Sequence, residues 1–145
     1  MGFLTRSPIA VEPLLARVAS PERGGTCVFI GTVRADREHG ASPVSAIEYT
    51  AYAEMAEQEL ERIIRETSEH WPETRVALVH RLGVVPTGEA SIAIAAAAPH
   101  RADAFAACRH IIEQVKARLP VWKREHRADG TRVWVDHAGP AVEVP

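Results

Sequence analysis

The sequence predicts an α+β fold, and three observations carry that prediction. Ala53–Trp71 and Arg101–Leu119 repeat apolar residues at helical spacing. The intervening stretches are β-branched or alternating, as strands are. The strands also come in adjacent pairs, without the regular βαβ alternation of a doubly wound sheet.

The elements follow in chain order. Residues 11–19 (VEPLLARVA), with Pro13 suited to a first helical turn, predict a short helix that PERGG ends. Thr26 to Val33 reads as a strand, Ala35 to Pro43 as a polar loop with Gly40, and Val44 to Tyr52 as a second strand with Ile47 and Tyr49 on one face. In the first long helix the apolar set is 56, 60, 63, 64, 67 and 71, with Glu57, Glu61, Arg62, Arg65 and Glu69 elsewhere on its surface. After Pro72 the strand TRVALVHRLG runs to Gly83, VVPTG is expected to turn, and EASIAIAAA is its antiparallel partner. The second long helix places Phe105, Cys108, Ile112, Val115 and Leu119 on its apolar stripe and stops at Pro120. A final hairpin, VWKREHR and TRVWV, closes about Ala128-Asp129-Gly130.

At 145 residues, without repeats or linkers, the chain reads as one domain, 1–145. Its net charge of -2 gives no general attraction to nucleic acid or an anionic membrane, so neither is expected as a partner. No run reaches the roughly 18 apolar residues of a membrane span. Arg6, Pro8, Glu12 and Pro13 interrupt any secretory stretch, and a cytoplasmic protein is expected. Cys27 and Cys108 are far apart in sequence with no CxxC, which indicates neither a disulfide framework nor zinc and leaves both thiols reduced. The seven histidines form no HExxH pattern, so no metal and no cofactor is expected.

Of 17 basic residues, 15 are arginine; the only lysines, Lys116 and Lys123, fall together in KARLPVWK. Arginine stays protonated, whereas a lysine ammonium gives up its proton when burial or like charge lowers its pKa. Reversal at Leu119-Pro120 would bring the two ammonium groups together, with Arg118 and Arg124 adding like charge. Two surface lysines paired by chance is the plainer reading, and a site that needs transferable protons the sharper one.

Pro99-His100-Arg101 begins the second long helix, where free backbone N–H groups and the helix dipole favour an anion; the alternative is that His100 caps the helix and Arg101 is solvated. Arg34 in GTVR either reaches a phosphate from the sheet edge or is a surface charge. His80 and Arg81 lie inside a strand, on opposite faces, with one of them expected to be buried and His80 read as structural. Cys27 and Cys108 read as packing residues. Arg101 and Lys116, 15 positions apart on one helix, are about 22 Å from each other, too far for one small-molecule site. A second copy of the chain, bringing its His100 and Arg101 beside the first copy's lysines, resolves the difficulty as a composite site.

Taken together, GTVR, EYTAYAEMAEQEL, VALVHRLGVVPTGEASIAIA, PHRADAFAACRHIIEQVKARLPVWKRE and DGTRVWV closely resemble the catalytic, or large, subunits of molybdopterin synthase, from about Gly24 to Val135. The segments 1–23 and 136–145 match weakly. The resemblance implies an α/β-hammerhead type of α+β domain with a mixed or antiparallel sheet, two long helices and a C-terminal β-hairpin. It implies sulfur transfer in molybdenum cofactor biosynthesis, from the C-terminal thiocarboxylate of a small ubiquitin-like carrier subunit to cyclic pyranopterin monophosphate. The family assembly is a homodimer of large subunits with a small subunit at each end, a heterotetramer. This chain ends EVP rather than Gly-Gly, so the carrier is expected to be a separate protein.

Carried over by residue, the family's catalytic lysines fall on Lys116 and Lys123, and its substrate-binding positions on Arg34, His100 and Arg101. Glu125 follows the second lysine and is expected to pair with a cation or tune Lys123. No role is assigned to Arg37, Glu38 and His39. Two rival readings remain: a non-catalytic paralogue that binds the carrier or a phosphorylated pterin, and a persulfide sulfurtransferase acting through Cys108.

Overall fold

A computed structural model describes residues 2–36 and 42–135. Its elements, in order, are β1 (Leu4–Thr5), α1 (Glu12–Val18), β2 (Gly25–Thr32), β3 (Val44–Ala51), α2 (Ala53–His70), β4 (Arg75–Arg81), β5 (Gly83–Pro86), β6 (Ala90–Ala98), α3 (Arg101–Arg118), β7 (Val121–Arg127) and β8 (Arg132–Trp134). The fold is α+β, as expected, but its strands divide into two four-stranded sheets, β1-β4-β6-β2 and β5-β3-β7-β8. Among the described residues only β1 with β4 is parallel.

The first sheet is covered on both faces. On β6, Ile92, Ile94 and Ala96 pack with Leu60 and Ile63 of α2 and Ala107, Cys108, Ile111 and Val115 of α3. Ala93, Ala95 and Ala97 turn the other way, onto Leu14 and Val18 of α1. The alanine run therefore belongs to a strand buried on both faces, where small side chains let the layers approach. A third cluster, Val33, Val44, Tyr49, Leu82 and Val85, joins the two sheets.

Three sequence expectations need correction. VVPTG is a strand up to Pro86, and β5 pairs with β3 across the sheet junction; only Thr87 and Gly88 turn, with Gly88 at φ +89°. Four residues ending in proline carry too little alternation to be read, yet suit a sheet edge. β1, at two residues, was not foreseen for the same reason. On α3 the buried stripe is Ala104, Ala107, Cys108, Ile111 and Val115, while Phe105 is 63% exposed. Close packing against β2 and β6 selects the small residues, and the large aromatic ring faces outward. Pro120 ends α3 as expected, holding Leu119 extended at ψ 123°. The hairpin turns at Gly130, φ +91°, with Asp129 accepting from the Thr131 N–H. Arg37–Ala41 of the expected loop, and the tail from Asp136, lie outside the described residues.

Candidate active site

Helix α3 sets the two ends of the site apart. Gly25, at the start of β2, lies under Arg101 so closely that a Cβ would stand 3.1 Å from the Arg101 Cα. Cys27 and Cys108, distant in sequence, touch through their thiols. Strand and helix therefore run the same way. The His100-Arg101 end lies over the beginning of β2, and the Lys116 end over its finish, where Val33 and Arg34 follow. The expected separation of about 22 Å along the helix stands.

At the Lys116 end the chain reverses through Leu119-Pro120 into β7, which seats Lys123 opposite Tyr49 of β3. Burial, and then the charge of Lys116, lowers the Lys123 ammonium below the usual lysine range. The two lysines thus share one locality. Arg118 and Arg124 do not crowd them, contrary to expectation. Arg118 bonds Glu59 and Glu66, each at 2.7 Å, and Arg124 bonds Glu48 at 2.8 Å, whereas among the described residues Lys116 and Lys123 form no ion pair. Glu125 pairs with Arg127 at 3.0 Å.

The structure adds a residue to this cluster. His80 and Arg81 are both buried, where one was expected. Arg81 bonds Glu89 at 2.7 Å and keeps an unpartnered Nε. The His80 ring stands edge-on to Tyr49, centroids 5.3 Å apart, and its Nδ1 lies 2.9 Å from the Arg81 carbonyl. Burial, together with the charges of Lys116 and Lys123, pushes the imidazole down to about 4 against the weaker opposing pull of that carbonyl. His80 is therefore neutral at pH 7. Burial also raises the Tyr49 phenol, opposed by its hydrogen bond with Ser91. Nothing in the strand pattern of VALVHRLG distinguishes such a histidine from a packing one; the signal lies in which strand end meets the second sheet.

The remaining candidates are exposed. Arg34 is 79% exposed and pairs with Asp36 at 3.2 Å. His100 holds the N-cap position of α3 without a side-chain capping bond, so it and Arg101 are both available to an anion. The two ends present the Lys116-Lys123 pair and the exposed His100-Arg101 pair, separated by the helix.

The chain also resembles known proteins. The family described as MoaE protein matches residues 4–118. The molybdopterin synthase catalytic subunit of Halalkalibacterium halodurans is 39% identical over 132 residues, 91% of this chain and 83% of that protein. The chain belongs to the molybdopterin synthase catalytic-subunit family. Catalytic subunit 1 of Mycobacterium tuberculosis is 41% identical over 133 residues, 91% of this chain and 88% of its own length. The crystal structure of molybdopterin synthase from Staphylococcus aureus superposes with a TM-score of 0.86 at 34% identity, over 94% of this chain and 97% of that one. The family match contains Arg34, His80, His100, Arg101 and Lys116; Lys123 lies just beyond it. Among the described residues of this family member no helix is long and apolar enough to cross a membrane.

Proposed function

We propose that this chain is the sulfurtransferase subunit of a molybdopterin synthase, working on cyclic pyranopterin monophosphate with a thiocarboxylated, ubiquitin-like carrier. Family membership supports the activity, and the observation that carries its placement is the pairing of Lys116 with a partly desolvated Lys123 at the end of α3. The carrier's sulfur attacks a side-chain carbon of the pterin and the cyclic phosphate opens. Water then cleaves the acyl–sulfur bond, leaving sulfur on the pterin and a carboxylate on the carrier, and a second carrier repeats the step to complete the dithiolene. Lys116, nearest the thiocarboxylate, transfers protons and stabilises the oxyanion; Lys123 assists it and holds substrate. Arg34, with His100 and Arg101 of a second copy, binds the phosphate by charge-assisted hydrogen bonds.

The second copy is supported by the edge of the first sheet. Among the described residues β2 pairs only with β6, so it lies at the sheet edge, and its Val28, Phe29 and Ile30 are exposed. A homodimer with a carrier at each end is the assembly this reading takes, within the cytoplasm and with residues 1–145 acting as one unit. A persulfide on Cys108 is disfavoured: burial, then its contact with Cys27, pushes that thiol up to about 12.

Reconstitution tests the reading. Purified chain, thiocarboxylated carrier and cyclic pyranopterin monophosphate should yield product, detected as its oxidised fluorescent pterin, and Lys116→Arg should lose about a hundred-fold or more in rate. A folded wild type that binds carrier and makes no product would point to the non-catalytic paralogue.

A further inference from the structure

The edge strand β2, GTCVFIGT, carries neither a charge nor a proline to guard its open side. Alternation puts Phe29 on one face of the sheet and Val28 and Ile30 on the other, yet all three are exposed. Among the described residues the middle of β2 is therefore uncovered on both faces. Helix α3 packs over β2 and β6 alike, while α2 stands toward β4. The α2 side closes one flank of α3, where Arg118 bonds Glu59 and Glu66 and the His110 ring meets Trp71. At about 100° per residue the opposite flank carries Arg101, Phe105, Ile112 and Lys116, and it faces out over the open edge of β2. Arg101, Phe105 and Lys116 are exposed there.

Resting on the reading of the site as shared between two copies, we propose how the second copy docks. β2 pairs antiparallel with the partner's β2 about a two-fold axis at Val28-Phe29, which lays the two α3 helices side by side and carries the partner's Arg101 to Lys116. Three lengths agree on this. Strands in a sheet lie about 4.8 Å apart, so helices seated midway over β2 and β6 in each copy come to rest about 10 Å from each other, an ordinary distance for packed helices. Gly25 lies under Arg101, and from there the axis is about 11 Å along β2. The same distance of about 11 Å along α3 reaches Cys108-Arg109, the midpoint between Arg101 and Lys116. Rotation about that point exchanges the helix ends, setting the partner's Arg101 by Lys116 and the partner's Phe105 by Ile112. The charges also suit a self-pairing surface. Arg109 and Glu113, exposed and ion-paired one turn apart, sit at the axis, where each arginine meets the partner's Glu113 as well as its own. At either end Arg34, which follows β2, and Lys116 converge with the partner's His100 and the partner's Arg101, and a phosphate balances them.

Cross-linking tests the arrangement. Arg109→Cys places a thiol at the axis, and a short bis-maleimide should join that dimer at least about ten-fold more than it joins wild type, whose own thiols lie beneath α3, or Trp134→Cys on β8. Phe105→Asp, at a position exposed in the single chain, should keep the wild-type circular dichroism and raise the dimer dissociation constant about a hundred-fold. Every second amide of β2, turned away from β6, should exchange about a hundred-fold more slowly in the wild-type dimer than in Phe105→Asp. A dimer that Arg109→Cys does not join, or a wild-type chain that scatters light as a monomer, overturns the proposal. None of these measurements needs carrier or pterin, so a dimer joined through Cys at 109 that makes no product would sink the synthase reading and leave the interface standing.

Discussion

His80 enters the fold uncharged and must stay so, and this has a thermodynamic consequence that its neighbours share in part. Its folded value, about 4, lies below the ordinary 6.5, so between those values the unfolded chain binds the proton more readily. Stability from this group is complete above pH 6.5 and falls as pH drops toward 4, by at most about 3 kcal/mol. Urea denaturation at pH 7.0 and 4.5 should show a smaller loss for His80→Gln than for wild type. Lys123 works in the same sense at higher pH, since its folded value is depressed below 10.5 and the charged form, present at pH 7, is penalised. Stability should rise as pH climbs through that depressed value toward 10.5, and Lys123→Met should melt higher than wild type at pH 7 while losing turnover. The lysine pair was legible because lysine is so scarce here; His80 was not, because a buried strand histidine looks the same whether it faces a core or a site.

Elements hold this end of the molecule in place through a small number of polar ties. The Glu57 carboxylate on α2 accepts from the Phe3 and Leu4 N–H groups at 2.8 to 3.1 Å, and the Phe3 and Thr5 carbonyls in turn accept from the N–H groups of His80 and Leu82, each at 2.8 Å. Glu57→Ala should cost about 2 kcal/mol in denaturant titrations. It should also speed hydrogen exchange at the His80 and Leu82 amides more than at the centre of β6. On β6 itself, Ala95→Leu would push bulk into the layer beneath α1 and should destabilise by about 1–3 kcal/mol. Long elements were readable from periodicity, as in α2, where Ala56, Leu60, Ile63 and Thr67 are the buried set. β1 and β5 were not, because two to four residues contain no period.

At the scale of the whole molecule, α3 is the dimension that matters. It keeps His100 and Arg101 about 22 Å from Lys116, so within one chain those two residues cannot reach a ligand held at the lysines. Mixing inactive His100→Ala and Lys116→Ala proteins after subunit exchange should restore part of the activity, since some sites then hold both intact contributions. No recovery, with exchange demonstrated, would rule out the shared site. Ile30→Glu on the open edge of β2 should shift the chain from dimer to monomer in light scattering and lower turnover with it.

Helical periods, proline and glycine stops, lysine scarcity and the run of family motifs are local or one-dimensional, and the linear chain was enough to read them. The α+β class, the two long helices, the last hairpin and the prominence of Lys116 and Lys123 follow from them. Other features needed the folded chain. It split the strands into two sheets, gave Arg118 and Arg124 to carboxylates on α2 and β3, brought the free thiols of Cys27 and Cys108 together, and set His80 against Tyr49. Each of these is a meeting of residues far apart in sequence. Such meetings depend on which strand ends abut and how closely a helix approaches, and neither quantity leaves a period in the sequence.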